Sequence, residues 1–191
     1  MFSRRVLLAD PDPDFRKKLK DILQQNDYLV VAETEDGRST LQAAFQNQPD
    51  IILMEGELPG SKGLEIARII EEHHLAAVVL VTSFSHRELL EEAKVSSVLG
   101  FIIKPVDDIN LIVTLEMALA TFKRMVRMEE ENKKLKKKLE EKRLVEQAKR
   151  LLIEKKGFNE QTAHRYMQKV SMDRCCSLAK VAQLVISSLN R

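Results

Sequence analysis

Cysteine is scarce in this chain of 191 residues, and its two cysteines, Cys175 and Cys176, are adjacent. A bridge between neighbours is strained and a disulfide framework is impossible, so we expect two free thiols. The four histidines are scattered, and His73 and His74 would point to different faces of a helix. The sequence therefore predicts no disulfide scaffold, no bound metal and no other resident cofactor.

Long hydrophobic runs are also missing. No window holds about 18 uninterrupted apolar residues, and the apolar run in the N-terminal sequence MFSRRVLLADPD is too short for a signal peptide. We therefore expect a cytoplasmic protein with no membrane association. A hydrophobic content of 44% allows one full core and a smaller helical unit.

Charge is distributed unevenly along the chain. Residues 1–120 contain twelve Lys and Arg against twenty Asp and Glu, whereas residues 121–191 contain nineteen against nine. The near-neutral net charge of +2 thus hides an acidic part followed by a strongly basic one. Such asymmetry is expected when one end of a protein binds a polyanion, and it predicts two modules.

Short apolar strands alternate with helix-period segments through the first 120 residues. The predicted pairs are residues 6–9 with 14–24, 29–32 with 39–46, 51–54 with 64–72, 77–81 with 87–95, and 101–103 with a helix from 107 onward. Five such pairs predict an α/β fold in which a doubly wound parallel sheet has helices on both faces. The functional site of such a sheet lies at the carboxyl edge of its strands.

Side chains able to do chemistry stand at those predicted strand ends. They are Asp10 and Asp12 after the first strand, Glu55 after the third, Thr82 after the fourth and Lys104 after the fifth. The motifs LLADPDP, PDIILMEGELPG, VTSF and GFIIKP, in this order and spacing, resemble the receiver domain of two-component response regulators over residues 3–120. The resemblance implies a five-stranded, flavodoxin-like fold that acts in phosphorelay signal transduction.

The resemblance also implies a phosphorylation site from which this chain departs twice. In that family an acid pair holds a divalent cation, an aspartate accepts a phosphoryl group, and a hydroxyl and a lysine contact the phosphoryl oxygens. Here Glu55 stands at the phosphoacceptor position and Pro11 replaces the second acid. A misplacement of about 1 Å can cost roughly a hundredfold in rate. We therefore expect poor phosphorylation of Glu55 and at most weak Mg²⁺ binding at Asp10, Asp12 and Glu55.

Three interpretations of this cluster are open. We favour a salt bridge or hydrogen bond from Glu55 to Lys104, near Thr82, that imitates part of what a phosphoryl group would do. The second is a relic polar cluster that only stabilises the fold, and the third is genuine, slow phosphorylation. Phe101 stands where the family has its switching aromatic residue, and without a hydroxyl it is expected in the core.

Residues 121–143 predict one long helix, because they lack Gly and Pro and are rich in Lys, Glu and Leu. Apolar or small residues recur there at alternating steps of three and four, which is typical of a coiled coil. The predicted seam has Met125, Asn132 and Leu139 at a positions and Met128 and Leu135 at d positions. Asn132 would select a parallel dimer in one register. The alternative is a solvated helix packed on its own domain.

Three helix-period segments make up residues 144–190. We predict a first helix over 144–156 closed by Gly157, a second over 160–171 capped by Asn159, and a third capped by Asp173. Ala163, Tyr166, Met167 and Val170 form the apolar stripe of the second helix. Residues off these stripes are basic or able to hydrogen-bond bases, which favours nucleic-acid binding. They are Lys149, His164, Arg165, Gln168, Lys169, Arg174 and Lys180.

The segment AKRLLIEKKGFNEQTAHRYMQKVSMDRCCSLAKVAQLVI resembles the ANTAR domain, an RNA-binding module of transcription antiterminators. With the stalk, the resemblance spans residues 125–186. It implies dimers that recognise two neighbouring stem-loops in nascent messenger RNA and prevent a terminator hairpin from forming. One departure is that Cys175, Cys176 and Ser177 open the third helix, where relatives are richer in Lys or Arg.

These observations predict a non-enzymatic, dimeric transcription antitermination regulator whose receiver domain signals without phosphorylation. Its expected partners are RNA stem-loops, a second copy of the chain, and a sensor kinase or an inhibitory protein. DNA binding is less expected because no recognition helix of the helix-turn-helix type is evident. The alternatives are a conventional response regulator activated by phosphorylation and a protein-interaction adaptor whose basic bundle binds an acidic partner.

Overall fold

The computed structural model describes residues 4–83 and 98–189 and divides the chain into two compact units, Met1–Val126 and Arg127–Arg191. The predicted helix over 87–95 lies outside the described residues. No helix in the described ranges is both long enough and apolar enough to span a membrane.

The first unit is built on a parallel sheet of five strands. In chain order these are β1 (Arg4–Ala9), β2 (Tyr28–Thr34), β3 (Ile51–Glu55), β6 (Ala77–Thr82) and β7 (Gly100–Ile103), and they lie side by side as β2-β1-β3-β6-β7. A small antiparallel hairpin of β4 (Glu57–Leu58) and β5 (Ser61–Lys62) follows β3. The predicted doubly wound fold is confirmed, and most observed strands extend one or two residues beyond the predicted ends.

Helices cover both faces of this sheet. They are α1 (Pro13–Gln25), α2 (Gly37–Asn47), α3 (Gly63–Glu72) and the first part of α4 (Asp108–Lys156). Alternate side chains of each strand point to opposite faces, so Val6 and Leu8 pack with α1 and α4 while Leu7 packs with α2 and α3. The two resulting apolar cores hold the strand ends in place, and with them the predicted site.

Helix α4 is continuous for 49 residues, so the predicted stalk and the helix predicted over 144–156 are one element. Gly157 follows it with a φ of 68°, and its N–H donates to the Ile153 carbonyl at 3.1 Å, which confirms its predicted role as the closing residue. Helix α5 (Glu160–Asp173) then begins after Asn159, whose side chain accepts the Thr162 N–H as predicted.

The prediction that Asp173 caps the last helix is wrong. Asp173 is the final residue of α5, which runs two residues beyond the predicted end, and α6 (Leu178–Leu189) begins later. The Ser177 hydroxyl oxygen accepts the Lys180 N–H at 3.3 Å and so takes the capping position. Cys175, with a φ of 47°, turns the chain between the two helices.

A small apolar core joins α4, α5 and α6. It is formed by Ala148 and Leu152 from α4, Ala163 and Met167 from α5, and Val181, Ala182 and Val185 from α6. The helices therefore pack as the predicted three-helix bundle.

This core makes a matched pair of stability variants possible on α5. Met167 is fully buried, so Met167→Ala should lower the free energy of unfolding by about 2–5 kcal/mol through reduced burial and a residual cavity. Met172 is 71% exposed, so Met172→Ala should change it by less than about 0.5 kcal/mol. Urea unfolding followed by circular dichroism measures both, and equal effects would contradict this packing.

Candidate functional site

A lysine joins two carboxylates at the carboxyl edge of the sheet. The Lys104 ammonium lies 2.7 Å from Asp10 Oδ2 and 2.6 Å from Glu55 Oε2. The three side chains are only 18%, 4% and 14% exposed, respectively. Three of the predicted site residues thus lie together at the ends of β1, β3 and β7. This agrees with the prediction that the site lies at the carboxyl edge of the parallel strands.

The remaining carboxylate oxygens of this cluster are also bonded. Asp10 Oδ1 accepts the Asp12 N–H at 2.8 Å, and Glu55 Oε1 accepts the Gly56 N–H at 2.9 Å. Partly buried carboxylates need such partners, because desolvation penalises a charge that is left unpaired. Every carboxylate oxygen that this cluster presents therefore has a donor, and the Glu55 side chain is held at both oxygens of its carboxylate.

The loop after β3 is fixed by a close backbone approach. The Gly63 N–H donates to the Gly56 carbonyl at 2.9 Å. A Cβ at position 63 would lie 2.8 Å from the Glu55 carbonyl oxygen, which is too close for any residue but glycine. The start of α3 thus seats directly against the strand end that presents Glu55.

Helix α1 supports the cluster from the other side. The Lys104 ammonium lies 3.9 Å from the centre of the Phe15 ring, which is a cation–π contact. The Arg16 side chain is almost fully buried, donates to the Asp10 carbonyl oxygen, and donates to Glu35 Oε1 at 3.0 Å. Arg16 is not among the site residues that the sequence predicts. The signal for it was its position three residues before Leu19, which places a charged side chain on the apolar stripe of α1.

The environment of Lys104 favours its charged form. Burial on its own would lower the pKa of the ammonium, but hydrogen bonds and charge attraction from Asp10 and Glu55 outweigh it and raise the pKa above its ordinary value. The lysine is therefore a permanent cation over the range of pH in which proteins are usually stable.

Asp12 does not join the cluster. Its exposed carboxylate caps α1, where Oδ1 accepts the N–H groups of Asp14 at 3.0 Å and Phe15 at 3.2 Å. Across residues 4–83 and 98–189, no three His, Cys, Asp or Glu side chains are arranged to hold a metal ion. Asp12 is used as a helix cap, Pro11 has no ligand atom, and Lys104 already pairs with Asp10 and Glu55, so this set does not fit the divalent ion of the receiver family. Weak Mg²⁺ binding there stays a prediction.

Thr82 and Phe101 occupy neighbouring strands. Thr82 ends β6, is buried, and accepts the Lys104 N–H on its carbonyl oxygen at 2.9 Å. Phe101, on β7, is half-buried and packs against the apolar cluster on the α2 and α3 face. Phe101 is therefore only partly buried in the core, where the sequence predicts it to lie.

The residues of the predicted dimer seam all lie on the surface of a single chain. Met125 is 37% exposed, Met128 61%, Leu135 66% and Leu139 59%, and Asn132 is exposed as well. None of the four apolar side chains belongs to a core cluster of the described residues.

Most of the predicted RNA-binding residues lie on the surface of the bundle, but Lys149 does not. It is only 9% exposed, and its ammonium contacts Glu146 Oε1 at 2.8 Å and Glu160 Oε1 at 3.1 Å. This side chain links α4 to the start of α5, so the expectation of a surface position is wrong. His164 is half-buried, and the exposed candidates are Arg165, Gln168, Lys169, Arg174 and Lys180.

The Lys104 cluster can be tested by removing its cation. Lys104→Met leaves Asp10 and Glu55 without their shared partner, and we expect the free energy of unfolding at neutral pH to fall by about 3 kcal/mol. Lys18 lies exposed on α1, so Lys18→Met should change it by less than about 0.5 kcal/mol. Urea unfolding measures both values, and equal effects would mean that the cluster adds nothing to stability.

The raised pKa of Lys104 also fixes the sign of a pH effect. An unfolded chain loses its lysine protons near about pH 10.4, and the folded protein holds this proton to higher pH. The stabilisation is fully present below that pH and is lost as the pH rises through the folded pKa. The stability difference between wild type and Lys104→Met should therefore stay constant up to about pH 10 and shrink above it. A difference that already shrinks between neutral pH and about pH 9 would contradict the assignment.

Comparison with known proteins identifies both parts of the chain. The family model for the response regulator receiver domain matches residues 6–116, and the ANTAR domain model matches residues 133–186. The transcriptional regulatory protein PdtaR of Mycobacterium tuberculosis is 33% identical over 186 residues, which cover 97% of this chain and 91% of PdtaR. The transcriptional regulatory protein YdfI of Bacillus subtilis is 29% identical over 116 residues, which cover 60% of this chain and 54% of YdfI.

Solved structures agree on the fold of the first unit. The receiver domain of the response regulator NarL from Mycobacterium tuberculosis matches with a TM-score of 0.59 and 24% identity over 62% of this chain and 98% of that one. A two-component response regulator of the LuxR family from Aurantimonas sp. SI85-9A1 matches with a TM-score of 0.58 and 26% identity over 62% of this chain and 86% of that one. Both predicted resemblances are confirmed, and the chain belongs to the response regulator family as a transcriptional regulator with a receiver domain followed by an ANTAR domain.

Proposed function

We propose that this regulator binds RNA stem-loops as a dimer, prevents terminator hairpins from forming in nascent transcripts, and needs no phosphorylation to do so. The observation that carries the proposal is the Lys104 bridge between Asp10 and Glu55. It gives the receiver a fixed site, while the basic surface of the ANTAR bundle supplies the contact to RNA. Binding alone would produce this effect, so no catalysis is needed.

The bridge opposes phosphorylation in two ways. Transfer to Glu55 needs a carboxylate oxygen placed in line with the phosphorus atom, and the contacts to Lys104 and to the Gly56 N–H hold both oxygens of Glu55 in one orientation. The charge that develops on a transferring phosphoryl group also needs a cation nearby, yet the Lys104 ammonium is already shared by two carboxylates. Control then lies with the amount of the protein, or with a protein partner that covers the receiver or the stalk.

The basic surface of the bundle supports RNA as the ligand. Arg165 and Lys169 are one turn apart on α5 and therefore lie on the same face. Within the part of the chain that the structure describes, no carboxylate pairs with either of them, or with Arg174 or Lys180. Free cations of this kind bind phosphates, and nearby Gln168 and His164 can hydrogen-bond bases.

The seam on α4 supports a dimer. Met128, Leu135 and Leu139 expose apolar side chains that a second copy would cover in a coiled coil, with Asn132 setting the register. Two joined bundles would bind two neighbouring stem-loops with the gain in affinity that linkage gives.

Dimerisation is expected without any phosphodonor. Sedimentation of the purified protein should give a dimer that acetyl phosphate and Mg²⁺ leave unchanged. Leu135→Glu should shift the protein toward monomer because it places a charge in the seam, whereas Lys137→Glu, at the exposed f position on the side away from the seam, should not. A monomer that dimerises only after incubation with acetyl phosphate would contradict the proposal and favour a conventional response regulator.

RNA binding is expected to depend on the exposed cations of the bundle. A variant carrying Arg165→Ala, Lys169→Ala and Arg174→Ala should bind a two-stem-loop RNA at least about tenfold more weakly while remaining dimeric. The slope of log affinity against log salt should fall by about 0.7 for each phosphate that the variant no longer binds. Filter-binding titrations at several salt concentrations measure both quantities. The control removes three exposed stalk cations that lie off the seam, Lys133, Lys134 and Lys137.

Full RNA affinity in the triple bundle variant would place the binding surface elsewhere. Wild-type protein that binds no RNA at low salt would instead favour an adaptor that binds an acidic protein.

A further inference from the structure

An open groove of about 560 Å³ lies between helices α5 and α6, and this volume is typical of ligand pockets. Tyr166 and Val170 line the α5 wall, and Arg174 follows Val170 by four residues, directly after the end of α5. Leu184, Ser187 and Ser188 lie on the α6 wall. Among the described residues that line the groove none is acidic, and Arg174 is the one that carries a charge.

Tyr166 is the aromatic residue of this groove. Its position on the apolar stripe of α5 predicts burial, but 45% of its surface is exposed. The Phe158 ring packs against it edge-on, with the ring centres 5.7 Å apart and the planes at 72°. An aromatic ring that is supported by a neighbour and open to solvent can stack on a planar ligand at little cost in ordering.

The polar groups around Tyr166 are ready for a ligand that both donates and accepts hydrogen bonds. The Arg174 guanidinium has no carboxylate partner among the described residues, so its donors are available. The Ser187 hydroxyl donates to the Leu184 carbonyl and the Ser188 hydroxyl to the Val185 carbonyl, each at 3.0 Å. Their hydrogens are used, and their oxygens remain acceptors.

We propose that this groove binds one unstacked base from the loop of an RNA hairpin, a role that rests on the proposed function. The base stacks on Tyr166, its amino or imino groups donate to the serine oxygens, and Arg174 contacts the adjoining phosphate. The combination of an open aromatic ring, a free guanidinium and hydroxyl acceptors fits a nucleobase and its phosphate. An apolar peptide would leave the polar groups of the groove unused.

The test distinguishes a lost contact to a base from a lost contact to a phosphate. The probe is a two-stem-loop RNA that the wild-type protein selects from a pool with randomised loops, together with a series in which each loop nucleotide in turn is abasic. Tyr166→Leu should bind the intact RNA roughly tenfold more weakly. For one abasic position, wild type and Tyr166→Leu should bind equally, because that RNA has no base to stack on the ring.

Control variants guard against a folding defect. Tyr166→Phe keeps the ring and should stay within about twofold of wild type, and Phe45→Leu removes an equally exposed aromatic residue from the receiver. Ser187→Trp fills the groove from the α6 wall and should weaken binding of the intact RNA as Tyr166→Leu does. The salt slope should stay unchanged in Tyr166→Leu and fall by about 0.7 in Arg174→Gln.

Two results would overturn the assignment while leaving RNA binding intact. One is that Tyr166→Leu has no effect, or weakens binding to the intact RNA and to every abasic RNA by the same factor. The other is that Tyr166→Leu changes the sedimentation of the protein without RNA, which would make the groove an interface between copies. Wild-type protein that selects no RNA from the pool would instead contradict the proposed function, and this inference with it.

Discussion

The Lys104 ammonium between Asp10 and Glu55 is the interaction on which the receiver site depends. The two carboxylates come from separate strand ends, and their charges would be costly so close together without a cation. Backbone N–H groups and the Phe15 ring complete the set of partners. The Glu55 carboxylate contacts Lys104 through one oxygen and the Gly56 N–H through the other. A residue that looks like a defect in a phosphorylation site is thus part of a closed network.

The two parts of the chain differ in where their charged side chains lie. The receiver is acidic overall, and it buries part of its charge, as in the pair of Asp10 with Lys104 and in Arg16, whose guanidinium contacts the exposed Glu35. In the described part of the ANTAR bundle Lys149 is buried and links two helices, whereas the other cations are exposed. Helix α4 takes part in both, because Leu111 belongs to a receiver core and other α4 residues belong to the core of the bundle. The charge asymmetry of the sequence therefore corresponds to a difference in how each unit uses its charges.

Hydrophobic periodicity was enough to predict most of the fold. The strand and helix alternation predicted the parallel sheet, and the rule that sites lie at the carboxyl edge predicted that Asp10, Glu55 and Lys104 lie together. Position on a helix was a poorer guide to single side chains. Lys149 lies off the apolar stripe of its helix, which predicts a surface position. Its partner Glu160 lies on another helix, and periodicity within one helix cannot reveal such a pair. Tyr166 sits on the apolar stripe yet stays exposed, because the groove between α5 and α6 does not close over it.

Helix ends were predicted well where one capping residue stood alone, as at Asn159 and Gly157. They were predicted poorly where Asp173 and Ser177 competed within one turn, since local sequence does not say which residue ends the preceding helix. The Lys104 bridge itself is tested most directly by a titration with Mg²⁺ and beryllofluoride, which imitates a phosphoryl group. Amide resonances of Gly56, Asp12 and Lys104 in isotopically labelled protein report on the cluster. Unchanged resonances are the result that the Lys104 bridge predicts, whereas saturable shifts of these amides would show that the site still accepts a phosphoryl group and a metal ion.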